Sequence, residues 1–182
     1  DPQNFDAHFY LGRVRYAMHD YAEAARSLRA AVQLNPRHAE ARFFLGTALE
    51  AAGDADAALK EYQELIKLDP QSAMGQIGLG ALLVKQGKID EAIGALERAI
   101  SLDAKSFEAH WALGRALILA ERFTEAVAAL QVATTLTPER AEAHYQLGLA
   151  LRRLNRAEEA AREFAIVDRL NTEFRTNTTP KK

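Results

Sequence analysis

Cysteine is absent from the 182 residues, tryptophan occurs once, methionine twice and proline five times. Without cysteine the chain has no disulfide, no thiolate metal site and no cysteine nucleophile. That composition suits a reducing cytoplasm, which is slightly favoured, and an uncomplicated secreted domain, so the compartment stays open. Charge of one sign is also missing: 23 Lys and Arg stand against 25 Asp and Glu, for a formal net charge of -2 and a pI near 6.2. The basic residues are spread along the chain, whereas binding a polyphosphate backbone needs a basic stripe that releases counterions. Nucleic acid is therefore not an expected partner. No apolar run approaches the roughly 20 residues of a membrane span, and Asp1-Pro2-Gln3-Asn4 has neither the basic nor the apolar region of a signal peptide. A soluble chain with no membrane partner is expected. Few prolines combined with 48% hydrophobic residues, mainly Ala and Leu, make a helical composition.

Glycine is sparse too, yet half of the ten glycines keep a strict order. Gly12, Gly46, Gly80, Gly114 and Gly148 stand 34 residues apart, each preceded by leucine. Ala24, Ala58, Ala92, Ala126 and Ala160 keep the same step, and Pro36, Pro70 and Pro138 fall in phase. A fixed period with several landmarks defines an array whose units bury their apolar sides against neighbours. The units run 5–38, 39–72, 73–106, 107–140 and 141–174. Pro2 stands 34 residues before Pro36, so residues 1–4 read as the end of a preceding repeat and the chain as a fragment of a longer protein.

Each unit divides into two stretches with apolar residues at i, i+3, i+4 and i+7, which predicts a pair of amphipathic helices. Ala41, Leu45, Ala48 and Leu49 form one stripe; Ala58, Tyr62, Leu65 and Ile66 form the next. Gly53 and Gly87 lie between stripes, where the left-handed conformation ends a helix at little cost. The glycine of each Leu-Gly pair falls inside a helix and costs about 1 kcal/mol relative to alanine there, which implies close helix approach. Leu28, Tyr62, Leu96, Leu130 and Phe164 are the bulky residues expected to fill the space beside it. Asn35-Pro36, Asp69-Pro70 and Thr137-Pro138 end the second helices; Ala104 takes the proline's place in the third unit, so a less sharply broken junction is expected there. Residues 175–182, without an apolar anchor, are expected to be a disordered tail.

These landmarks resemble the tetratricopeptide repeat: a small residue at the third place, Leu-Gly at the seventh and eighth, Ala at the twentieth, a large apolar residue at the twenty-fourth, and Pro near the thirty-second. The resemblance spans about 170 of the 182 residues. It implies an all-α fold, a right-handed superhelical solenoid of five two-helix repeats whose first helices line a concave groove. It also implies a protein or peptide partner, in the manner of noncatalytic scaffolds. On that resemblance the groove would be lined by Phe9, Arg13, Phe43, Phe44, Ile77, Gly78, Ala81, Trp111, Arg115 and Tyr145. Trp111 is the expected anchor, and Gly75, Gly78 and Ala81 are weighed as a pocket against a locally loosened helix. Charges beside the stripe are mixed and favour no ligand sign. The lysine and asparagine pattern of chaperone-tail binders and the asparagine ladder of sugar-transferase arms are both missing.

Nothing is assembled for catalysis. His8, His110 and His144 share the fourth place, but two neighbouring histidines are too few for a metal, and no metal or cofactor is expected. Gly75, Gly78 and Gly80 run in the wrong order for a nucleotide loop and follow no strand. Two alternatives to peptide binding remain: self-association through uncapped terminal repeats, and service as the docking arm of a larger enzyme.

Overall fold

The helical spacing is realised throughout. The computed structural model describes residues 3–178, so expectations for 1–2 and 179–182 fall outside the described residues. Ten helices follow one another: α1 (Phe5–Ala17), α2 (Tyr21–Leu34), α3 (Ala39–Ala51), α4 (Ala55–Leu68), α5 (Ala73–Lys85), α6 (Ile89–Leu102), α7 (Phe107–Leu119), α8 (Phe123–Leu136), α9 (Ala141–Arg153) and α10 (Ala157–Thr178). No strand occurs among the described residues.

The turns repeat as faithfully as the helices. A residue with positive φ stands at every thirty-fourth position: His19 at 62°, Gly53 at 90°, Gly87 at 75°, Glu121 at 59° and Asn155 at 59°. The amide one residue further on reaches back to a carbonyl five residues earlier, as in Asp54 N–H to Leu49 O (2.9 Å) and Arg122 N–H to Leu117 O (2.9 Å). This left-handed closure satisfies carbonyls that a helix end otherwise leaves without partners. Some helix starts are capped by side chains of different types: Asn4 accepts from Ala7 N–H at 3.0 Å, His38 Nδ1 from Ala41 N–H at 3.1 Å, and Ser106 Oγ from Ala109 N–H at 3.2 Å, whereas α2, α5, α8 and α9 have no side-chain cap.

Two expectations about helix ends are corrected. The junction at Ala104 is as sharp as those with proline, because Asp103 accepts from Lys105 N–H at 3.0 Å, as Asp69 does from Gln71 N–H at 3.1 Å, and Ser106 then caps α7. At the other end, α10 continues to Thr178, so residues 175–178 are helical. Thr172, in the proline's place, retains its amide and bonds its hydroxyl to Asp168 O at 2.8 Å, so nothing stops the helix.

The helices form two compact units, α1–α5 and α6–α10. In the first, α1 packs on α2, α3 on α2 and α4, and α5 on α3 and α4. Its core holds Ala24, Leu28, Ala41, Leu45, Ala58 and Tyr62, all buried. In the second, α7 packs on α6 and α8, and α9 on α8 and α10. Leu96, Leu130, Ala133, Ala143 and Leu147 are buried there.

The small-against-large expectation holds at atomic scale. A Cβ placed on Gly12 would lie 2.5 Å from Leu28 Cγ, on Gly46 2.6 Å from Tyr62 Cε1, on Gly114 2.7 Å from Leu130 Cδ2, and on Gly148 2.7 Å from Phe164 Cε1. The recurring glycine is thus a contact surface for the bulky residue sixteen positions later.

Candidate functional site

The first helices carry the aromatic positions, each unit by itself. In the first unit, Phe9 of α1 is buried within the core, while Phe43 and Phe44 of α3 are half-buried. The Phe9 and Phe44 rings lie 6.1 Å apart, those of Phe43 and Phe44 5.8 Å apart, both in the edge-on arrangements aromatic quadrupoles favour. Arg13 lays its guanidinium over both Phe9 (5.5 Å) and Phe44 (4.9 Å), and its charge is matched by Glu40 at 3.6 Å. Tyr10 stands beside this cluster, 57% exposed.

Ile77 and Ala81 of α5 are half-buried, but Gly78 is buried. The space beside Gly78 is taken by the Tyr62 ring and that beside Gly75 by Ile66, so neither glycine opens a pocket on this side of α5; they are where α4 packs down. Tyr62 is thereby held between Gly46 and Gly78. Its hydroxyl donates to Glu50 at 3.1 Å and approaches Thr47 Oγ1 at 3.4 Å, and Glu50 is in turn paired with Lys85 at 2.6 Å. Burial, with the neighbouring Glu50 carboxylate, pushes the Tyr62 phenol far above its ordinary range.

In the second unit, Trp111 of α7 is half-buried, stacked on Phe107 at 6.5 Å and covered by the Arg115 guanidinium at 4.8 Å. Its indole N–H is buried without a partner. Tyr145 of α9 is 47% exposed, and its ring lies 5.9 Å from that of Phe164 at a tilt of 57°. Among the described charges here, Arg140 is paired with Glu142 at 2.6 Å and Arg153 sits 3.9 Å from Glu121. Arg115 and Arg152 stack on Trp111 and Phe164 and have no ion pair among the described residues. Of the sequence-derived residues, then, Phe9 and Gly78 belong to the interior, while Arg13, Arg115 and Tyr145 face solvent.

Fourth-place side chains in three of the repeats form a recurring clamp on the preceding junction. Arg42 donates to Pro36 O at 3.0 Å, His110 Nε2 to Ala104 O at 3.1 Å and His144 Nε2 to Pro138 O at 3.0 Å. A carboxylate nineteen residues later completes it in two of the three: Glu61 on Arg42 at 2.6 Å, and Glu163 on His144 Nδ1 at 2.6 Å. Among the described residues no three His, Asp or Glu converge on a possible metal position. The signal for this clamp was present in the 34-residue register; reading the histidines by residue type alone concealed Arg42 as their equivalent.

Serial helical hairpins with a shared register and aromatic first helices define a helical repeat protein. The tetratricopeptide repeat family matches residues 9–73 and 77–139, and the chain belongs to that family. Its architecture is accordingly an all-α repeat solenoid. No curated protein matches the sequence. Among solved structures, the chain is similar to TTC0263, a thermophilic protein of this family from Thermus thermophilus, with a TM-score of 0.80, 21% identity, and 95% of this chain and 98% of that one covered. It is similar to MamA from Desulfovibrio magneticus RS-1, with a TM-score of 0.72, 25% identity and 93% and 96% covered. It is also similar to YrrB, described as having an unusual peptide-binding site, with a TM-score of 0.62, 18% identity and 92% and 87% covered. No helix among the described residues is long and apolar enough to cross a membrane.

Proposed function

We propose that the chain is a noncatalytic adaptor that binds an extended or helical segment of a partner protein along the aromatic side of its first helices. The observation that carries this reading is the pair of solvent-facing arginines at equivalent places, each laid over aromatic rings, Arg13 on Phe9 and Phe44 and Arg115 on Trp111, with Tyr10 and Tyr145 exposed on first helices of the two units. Rigid aromatic surface next to a guanidinium provides both apolar contact and a bidentate donor, the combination enriched at binding hot spots. Phe43, Ile77 and Ala81 supply flanking apolar surface. In the second unit Arg115 and Arg152 have no ion pair among the described residues, so the segment bound there carries an acidic side chain next to its apolar anchor. Peptides selected by display against the folded chain should follow that pattern. They should lose about tenfold in affinity, roughly 1.4 kcal/mol, to an Arg115→Glu, Tyr145→Ser variant that keeps its helical circular dichroism. Equal binding to both proteins would reject the reading.

Self-association is the second reading, favoured by one observation on α1. Leu11 and Val14 are 42% and 54% exposed, whereas their equivalents Leu45 and Ala48 are buried at 1% and 0%. Light scattering over a concentration series decides it: a mass that rises with concentration and returns to the monomer in Val14→Glu supports self-association, and a constant monomer mass excludes it.

A further inference from the structure

The repeat register itself shows one clamp to be incomplete. Nineteen residues after His110, where Arg42 and His144 meet Glu61 and Glu163, the fourth repeat has Ala129. His110 is only 9% exposed, and its Nδ1 is buried without a hydrogen-bond partner. In place of the glutamate side chain lies a cleft of about 430 Å3 among α6, α7 and α8, walled by Ile100, Leu113, Leu117, Ala129 and Val132, with His110 in its lining. That volume falls within the roughly 300–1,000 Å3 of small-molecule pockets. Val132 is 39% exposed, so the cleft is reached from solvent.

We infer that this cleft is a binding site for a small neutral aromatic compound with one O–H or N–H donor, of the phenol class, separate from the peptide-binding surface. The ligand's polarity follows from the ring's tautomer. Ala104 O can only accept, so Nε2 holds the proton; no acceptor faces the buried Nδ1, and in the neutral ring that nitrogen presents a lone pair, which calls for a donor. An anion is disfavoured because Glu97 and Glu125 also line the cleft. An ammonium is disfavoured because the two lining carboxylates already face the Arg122 guanidinium, which Glu125 holds at 2.6 Å and on which the Glu97 charge also acts, so an ammonium at Nδ1 would have to compete with that guanidinium for its remaining acceptors. A flat apolar body with a single donor matches both the apolar walls and the buried Nδ1 acceptor. In the two repeats with a glutamate at that place, the carboxylate already occupies the clamp.

Titration of the 15N,13C-labelled chain with p-cresol, toluene and p-toluate, read from the His110 ring nitrogens and the Leu113, Leu117 and Val132 methyls, tests the inference. The expected result is saturable shifts with p-cresol, about three- to tenfold tighter than toluene for the added hydrogen bond, and none with p-toluate. Ala129→Glu should give His110 the carboxylate that His144 has, fill the cleft and abolish p-cresol binding while the helical spectrum is kept. Should that variant not fold, Val132→Trp obstructs the same cleft from its exposed side and must also abolish binding. Equal affinities for p-cresol and toluene, tighter binding of p-toluate, p-cresol binding that survives either folded variant, or no shift up to the solubility limit of p-cresol would each overturn it.

Discussion

Replacing Gly114 by alanine tests whether the repeating glycine is a packing surface or an accident of descent. An added Cβ would meet Leu130 Cδ2 at 2.7 Å and Cδ1 at 3.0 Å, and would lie closer still to Cγ. Leu130 is fully buried at 0% exposure, and its Cγ is a branch point close to the backbone, so the side chain cannot swing clear without moving α8. Overpacking of this kind costs about 1–3 kcal/mol, against a gain of about 1 kcal/mol in helix propensity from Gly to Ala. Gly94 supplies the internal control. It lies in the interior of α6, in the same unit, with nothing within 4 Å of a Cβ placed on it, so Gly94→Ala collects the propensity gain alone. Because the propensity contribution is common to both, the difference between the two variants isolates the collision at about 1–3 kcal/mol. Urea unfolding followed by circular dichroism should show Gly94→Ala stabilised by about 1 kcal/mol and Gly114→Ala at or below the wild type. If Gly114→Ala gains as much as Gly94→Ala, the contact with Leu130 does not constrain the hairpin and the account of the period fails.

Three further outcomes are expected. Glu121 adopts φ of 59° and its exposed side chain is paired, among the described residues, with Arg153 at 3.9 Å, so Glu121→Gly should relieve left-handed strain and raise stability by about 0.5–1 kcal/mol after glycine's own entropy cost; a lower unfolding midpoint would contradict this. The Tyr62 phenol is held protonated in the folded chain while an unfolded tyrosine ionises near pH 10, so the contribution is whole below that pH and is lost as pH rises through the higher folded value. Stability should therefore fall on the alkaline side of about pH 10, and Tyr62→Phe should flatten that fall. Leu130→Ala, emptying a fully buried site, should cost about 2–5 kcal/mol by the same unfolding assay.

Much of the fold was legible because the physics repeats with the sequence. The Leu-Gly pair, the alanine twelve residues after its glycine and the bulky residue four later describe one interhelical contact, and the Cβ distances at Gly12, Gly46 and Gly148 confirm it at three separate hairpins. Helix ends were less legible, since they depend on local hydrogen bonds more than on the most visible residue. Proline marks a break by removing a donor, yet Asp103 and Ser106 make an equal break without it. The positive-φ turn is similar: glycine announces it at 53 and 87, while His19, Glu121 and Asn155 adopt the same conformation unannounced.

For the candidate site residues, the helix each sits on was legible but its exposure was not, and the reason is geometric. Equivalent positions in an array face equivalent directions, but what lies in front of them depends on the partner that each neighbour supplies. Phe9 and Tyr145 share the fifth place, yet Phe9 is enclosed by Phe5, His38 and Phe44 while Tyr145 remains half exposed. The fourth place shows the same dependence with chemical consequences. Arg42 and His144 each find a glutamate nineteen residues on, and His110 finds alanine, so three equivalent side chains become one ion pair, one histidine–carboxylate hydrogen bond and one open acceptor. A repeat protein keeps its scaffold by holding the register constant and acquires particular sites where a single repeat departs from it. Comparison of each position with its equivalents, more than inspection of residue types, is therefore what locates a candidate site in this chain: departures at the small and bulky places alter packing, and departures at the fourth and twenty-third places alter what the surface can bind.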